Sequence, residues 1–106
     1  ITKGFTALGT AMMLAASRGG SAEALKAELT ESRPDLLRYL SNQVPSMYSK
    51  AYRWVAELDE IAAFVGEEFP ERDMLQAAAR LYERIAEDFE DRKEEIGKLD
   101  RFLEKS

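Results

Sequence analysis

Two cations and a carboxylate stand out in the segment KAYRWVAELDEIAAF, which occupies residues 50–64. Lys50, Arg53 and Glu57 are spaced so that one sector of a helix presents all three. The two cations fall near the predicted N-terminus of that helix, where the helix dipole repels positive charge. A bound carboxylate or phosphate would offset this repulsion, and the free N–H groups of a helix N-terminus favour the same ligand. We therefore interpret Lys50, Arg53 and Glu57 as candidate substrate-binding residues, with an ordinary solvated face as the alternative.

Lys3 is the fourth candidate. It belongs to the most apolar helical segment of the chain, and a lysine is rarely buried unless it has a partner or a function. Near a chain end its ammonium group can also simply extend to water. Both interpretations of Lys3 stay open at this stage.

Several kinds of chemistry are excluded by residue types that are missing. The 106-residue chain has neither Cys nor His. Disulfides, thiolate chemistry and zinc–sulfur sites are therefore excluded, together with the commonest general base and the histidines of a ferritin-type di-iron site. The sequence also has no G-x-G-x-x-G motif and no P-loop. We expect no catalytic residue, no metal site and no cofactor site in this chain.

The charge balance and hydropathy limit the possible partners. The net charge of -5 argues against a nucleic-acid surface, and no basic run interrupts the sequence. The apolar part of the first twenty residues is too short to span a bilayer. We expect a cytoplasmic protein that binds neither nucleic acid nor a membrane.

The elements that must position the candidates are helices. No segment alternates polar and apolar residues with a period of two, so we predict no strands. Gly19-Gly20 should end the first helix, Pro34 should begin the third, and Val44-Pro45-Ser46 should break the chain. The result is a compact all-α bundle of five or six helices. The predicted helices span residues 2–18, 21–30, 34–42, 47–66 and 71–90, followed by a helical tail.

Apolar residues at helical spacing predict the core of this bundle, whereas Glu83-Arg84 and Glu87-Asp88 resemble a solvated face. Toward the C-terminus the apolar stripe nearly follows heptad spacing as far as Leu103. This stripe either covers the core or forms a seam for a second chain or domain, and a break near Asp91-Arg92 would divide it into two helices. The residues expected to be largely buried are Trp54, Leu58, Ile61, Leu8, Met12, Leu37 and Tyr82.

Three segments, TKGFTAL, AELTESRPDLLRYL and KAYRWVAELDEIAAF, together resemble one family. It is the helical C-terminal domain of unknown function in bacterial and archaeal relatives of 6-phosphogluconate dehydrogenase and 3-hydroxyisobutyrate dehydrogenase. Its Thr-Lys-Gly pattern is matched by residues 2–4 and its Lys-Ala-x-Arg-Trp-Val pattern by residues 50–55. Its Glu-rich segment and its Ala-rich helix with a Tyr are matched by residues 57–62 and 77–82. The resemblance covers residues 1–90, and residues 91–106 form a helical tail outside it.

The resemblance implies a 6-phosphogluconate dehydrogenase C-terminal-domain-like fold. It also implies a parent oxidoreductase in which an N-terminal Rossmann domain binds NAD or NADP and the substrate is a small hydroxy acid. The family's catalytic lysine lies upstream of the position that Lys3 occupies, before Ile1. No initiator Met precedes Ile1, so we expect this chain to be an N-terminally truncated piece of such a protein and not catalytic alone.

These observations favour the interpretation that the chain is the substrate-side and dimerisation domain of an NAD(P)-dependent β-hydroxyacid dehydrogenase-like protein. The alternative is a free-standing helical protein-interaction module. Apolar residues of the first helix and of the tail exceed what one small bundle can cover, so we expect a homodimer through the first helix, the last helix or both.

Overall fold

The structure is a computed structural model that describes residues 1–104. Every regular element within those residues is an α-helix, which confirms the predicted all-α class. Lys105 and Ser106, the end of the predicted tail, lie outside the described residues. The six helices are α1 (Thr2–Arg18), α2 (Ala22–Ser32), α3 (Pro34–Met47), α4 (Ala51–Val65), α5 (Arg72–Glu90) and α6 (Glu94–Leu103).

The first helix lies at the centre of the bundle. It packs against α2, α3, α5 and α6, whereas α4 packs chiefly against α5. The described residues extend over 43 × 32 × 23 Å. Among them, no helix is long and apolar enough to cross a membrane. The largest fully buried side chains are Tyr82, Met13, Leu14, Met47, Leu58, Ile85, Leu99 and Val44.

The predicted inward face of α1 is wrong. Leu8 is 60% exposed and Met12 is 52% exposed, whereas Met13 and the smaller Thr6 and Thr10 are buried. The physical reason is the close approach of α1 to its neighbours. A Cβ atom added at Gly9 would lie only 2.7 Å from Leu40 Cδ2, so there is no room for a larger residue at that point, and Met13 and Leu14 fill the inward side one turn further along.

The stripe predicted for α4 is partly confirmed. Leu58 is buried, as is its neighbour across the α4–α5 interface, Tyr82. Trp54 is only half-buried, and Ile61, predicted to be buried, is 43% exposed. A helix that packs mainly against one neighbour buries only a narrow stripe, and in α4 that stripe includes Ala62 instead of Ile61.

The predicted break at Val44-Pro45-Ser46 is also wrong, because α3 continues through Pro45 to Met47. Val44 and Met47 are fully buried, and their packing holds the last turn in helical form. Proline in that turn removes one backbone donor, and the Ser46 hydroxyl donates to the Gln43 carbonyl at 3.0 Å. Leu37, earlier in the same helix, is half-buried instead of largely buried.

The break between α5 and α6 agrees with the two-helix alternative. Lys93 adopts the left-handed conformation with φ 59°. The Asp88 carboxylate accepts hydrogen bonds from the backbone N–H groups of Glu94 and Ile96, both at 2.9 Å. Asp88 is therefore a cap for the first turn of α6 and not part of a solvated face.

The last helix covers the core. Ile96, Leu99 and Phe102 are buried within the bundle, so the alternative of an open heptad seam along α6 is wrong. Arg84, also predicted to be solvated, donates to Glu95 at 2.7 Å. This ion pair joins α5 to α6, and Glu95 also lies 3.9 Å from Arg18 of α1.

Candidate functional site

The first turn of α1 meets the middle of α4 at a polar corner of the surface. The Lys3 ammonium lies 3.5 Å from a Glu57 carboxylate oxygen. It also lies 5.4 Å from the centre of the Trp54 ring, within the range of a cation–π contact. We call Lys3, Trp54 and Glu57 the Lys3 corner.

Two aromatic side chains support this corner. Trp54 meets Tyr82 of α5 edge to face, with ring centroids 5.3 Å apart and an angle of 84° between the planes. The Tyr82 hydroxyl donates a hydrogen bond to the Lys3 backbone carbonyl. A tyrosine hydroxyl is protonated at neutral pH, and burial raises the pKa of this one further. Tyr82 therefore links the start of α1 to the ring against which the Lys3 side chain rests.

Two of the four candidates, Lys3 and Glu57, thus meet, and the other two lie at the start of the helix that contains Glu57. Lys50 is the exposed residue directly before α4, and Arg53 is exposed in the first turn of that helix. The Arg53 guanidinium lies 6.0 Å from the ring centre of Tyr52. Neither cation has a carboxylate within 4.0 Å among residues 1–104. The first turn of α4 also contains no acidic residue, so the unfavourable charge placement expected from the sequence is present.

The electrostatics of the corner suit exchange with an anion. The side chains of Lys3 and Glu57 are 37% and 51% exposed, so their ion pair is screened by water and contributes at most about 1 kcal/mol. An incoming carboxylate or phosphate can replace Glu57 beside the ammonium at little cost, with Lys50 and Arg53 of the neighbouring turn still unpaired. The Lys3 ammonium is therefore held only weakly by Glu57.

The sequence predicts Trp54 as a core residue and as a neighbour of Lys50 and Arg53, but it does not predict the contact of Trp54 with Lys3. The position of Trp54 three residues before Glu57 is the available signal, because residues at that spacing share a helix face.

Two surface depressions lie away from the Lys3 corner. A groove of about 950 Å³ separates α2 from α6, and a smaller one of about 470 Å³ lies between α4 and α5. Arg80 on the smaller depression is already held by Asp59 at 2.8 Å. The larger groove has a balanced charged lining, consisting of Lys26, Lys98, Arg101, Glu23, Glu31 and Glu104. Two cations of the larger groove, Lys26 and Arg101, also have no carboxylate within 4.0 Å among residues 1–104, but three acidic residues line the same groove.

Residues that could hold a metal or a nicotinamide cofactor are not assembled in the described part of the chain. Residues 1–104 contain no group of three or more His, Cys, Asp or Glu side chains arranged to hold a metal ion. Gly19 and Gly20 form the turn between α1 and α2, and the spacing of a dinucleotide-binding loop does not occur.

Comparison with known proteins identifies a family but no function. No curated protein and no solved structure matches the chain. The family model for Domain of unknown function (DUF1932) matches residues 16–85. This segment includes α2, α3 and α4 and most of α5, and with them Lys50, Arg53 and Glu57. Because the match covers more than half of the sequence, the chain belongs to the DUF1932 family.

Proposed function

We propose that this chain is the substrate-side and dimerisation domain of an NAD(P)-dependent β-hydroxyacid dehydrogenase-like oxidoreductase, and that it is not catalytic alone. The observation that carries the proposal is the Lys3 corner with its two unpaired neighbouring cations, Lys50 and Arg53. The substrate class is a small hydroxy acid, whose carboxylate or phosphate the cations bind.

In the proposed parent protein one domain binds the cofactor and the other binds the substrate. The nicotinamide cofactor accepts a hydride in this class of reaction, and it belongs to an N-terminal Rossmann domain of the parent protein. The residues of the present chain bind and orient the substrate anion. Lys3 supplies the charge beside Trp54, and Arg53 supplies a planar fork that matches a carboxylate or phosphate.

The dimerisation role rests on the exposed apolar residues of α1. Phe5, Leu8 and Met12 all face outward on this central helix. The large apolar residues of α6, the other candidate for an interface, are mostly buried inside the bundle. A homodimer would therefore form through α1.

The test uses the complete protein encoded by the reading frame that contains these residues. NAD(P)-dependent oxidation is measured over a panel of small 2- and 3-hydroxy acids, with and without phosphate groups. Lys3→Gln and Arg53→Gln should each raise KM by about 10-fold or more while kcat changes little, since a hydrogen bond to a charged group contributes about 1.5–3 kcal/mol. Arg33→Gln is the matched control, because Arg33 is exposed and already paired with Asp35 at 3.1 Å.

Two results would contradict the proposal. One is a reading frame without a dinucleotide-binding fingerprint, or a complete protein that oxidises none of the acids. The other is an unchanged KM in both corner variants. The isolated 106-residue chain should show no micromolar binding of NAD+ or NADP+ in calorimetry, and such binding would contradict the assignment of the cofactor to another domain.

A free-standing interaction module is the second candidate. It is favoured by large apolar side chains on the α4–α5 hairpin, because Phe64, Phe69 and Met74 are all exposed. A start codon directly before Ile1 in the gene would support this function, whereas an in-frame Rossmann fingerprint upstream would support the dehydrogenase.

A further inference from the structure

The outward face of α1 has the pattern of a helix-pairing seam. Ile1, Phe5, Leu8, Met12 and Ala15 are all exposed, and they follow one another at spacings of four, three, four and three. This is the heptad alternation that places apolar residues along one seam between two helices. The spacing therefore indicates that the occupant of this face, which we call the α1 seam, is another α-helix.

The charges of α1 are directed away from the seam. The helix has no acidic residue, and its only cations are Lys3 and Arg18. Lys3 is paired with Glu57 at 3.5 Å, and Arg18 lies 3.9 Å from Glu95. A partner helix can therefore cover the seam without burying a charged side chain that lacks a partner, and such burial would oppose association. An uncharged, apolar partner face fits best, and a second copy of this chain offers that face.

The available area is large enough for such a pair. The seam has four large residues: Ile1 is fully exposed, and Phe5, Leu8 and Met12 are 40%, 60% and 52% exposed. With on the order of 200 Å² for a fully exposed large side chain, they offer ~500 Å² per chain and ~1,000 Å² per pair, which reaches the lower limit for a specific interface.

We infer that two copies of this chain associate through their α1 seams, antiparallel about a two-fold axis that passes between Phe5 and Leu8. In this arrangement Phe5 packs against Leu8 of the second copy, and Ile1 packs against Met12 of the second copy. A parallel pair would bring the two Lys3 residues together and would align the two helix dipoles, both of which are unfavourable. The antiparallel pair separates the two Lys3 residues along the helix axis.

This inference rests on the dimerisation part of the proposed function and is independent of the substrate-binding part. The first experiment is sedimentation of the 106-residue chain at micromolar concentration. The wild type should sediment at twice its mass of 12.0 kDa, and Leu8→Lys should sediment as a monomer with unchanged helical circular dichroism. Phe64→Lys is the control, because Phe64 is 90% exposed on α4 and lies outside the seam; this variant should remain a dimer.

A second experiment tests the antiparallel register. The chain has no native Cys, so Phe5→Cys and Leu8→Cys chains can be oxidised separately and after mixing. The mixture should yield a disulfide-linked heterodimer, and each variant alone should yield little cross-linked product.

Each unfavourable outcome overturns a defined part of the inference. A wild-type monomer refutes dimerisation, and a Leu8→Lys dimer refutes the seam while leaving another dimer interface possible. Efficient cross-linking of either variant alone refutes the register. None of these outcomes changes the expected effect of Lys3→Gln on KM, so failure of the seam and failure of the substrate site are distinguishable.

Discussion

Replacing Asp88 with Ala should destabilise the chain far more than its partly exposed position near the end of α5 suggests. The Asp88 carboxylate accepts two backbone hydrogen bonds, from Glu94 and Ile96, both 2.9 Å long. Loss of a capping side chain typically costs about 0.5–2 kcal/mol, and a hydrogen bond to a charged group contributes about 1.5–3 kcal/mol. Because Asp88 is partly exposed and water can replace it in part, we expect a loss of about 2–3 kcal/mol.

The assay is urea unfolding followed by circular dichroism at 222 nm and by the fluorescence of Trp54, the chain's single Trp. Glu87→Ala is the matched control, because Glu87 precedes Asp88 in the same helix and is exposed. That variant should stay within about 0.5 kcal/mol of wild type. Asp88→Ala should also lower Tm by about 10–20 °C, given the usual sensitivity of a domain of this size.

Hydrogen exchange shows where the loss occurs. Without the cap, α6 should open locally, and the amide groups of Ile96 and Leu99 should lose protection before those of α5. The reasoning is refuted if Asp88→Ala and Glu87→Ala have equal stability. It is also refuted if α5 loses protection together with α6, because the cap would then not act on α6 specifically.

Three further predictions concern the core. Leu58→Ala should cost about 2–5 kcal/mol in urea unfolding, because Leu58 is buried between α4 and α5; a loss below about half a kcal/mol would show that the interface is wrongly described. Thr10→Val should leave stability unchanged or raise it, since the buried Thr10 hydroxyl has no hydrogen-bond partner among the described residues; a loss above about 1 kcal/mol would reveal a partner. Burial raises the pKa of Tyr82, so the Tyr82 contribution to stability is fully present below the unfolded-state pKa of about 10 and falls by about 1.4 kcal/mol per pH unit above it. Tyr82→Phe should remove that part of the slope between about pH 10.5 and 11.5, and an identical slope in both proteins would contradict it.

The candidate site was predictable to the extent that it depends on local spacing. Lys50, Arg53 and Glu57 share a sector of α4 because of helix geometry, which the order of residues determines. The contact between Lys3 and Glu57 spans 54 residues of sequence and depends on how α1 and α4 each pack against α5. No local pattern contains that information, so Lys3 was found from its unusual apolar surroundings and its partner was not.

The sequence by itself determined the helical class and most helix boundaries, and it offered a break near Asp91-Arg92 as one of two alternatives. Those features follow from periodicity, from the absence of alternating segments and from Gly and Pro positions, all of which act over a few residues. Tertiary packing decided which face of α1 points inward. Both faces carry large apolar residues: Leu8 and Met12 point outward, whereas Met13 and Leu14 are buried, and Gly9 allows α1 to approach Leu40 closely. Tertiary packing also decided that α3 continues past Pro45, because the burial of Val44 and Met47 outweighs the loss of one backbone hydrogen bond. The hydrophobicity of α1 alone cannot decide which of its two apolar faces is buried. That choice depends on the shapes of the helices that pack against each face.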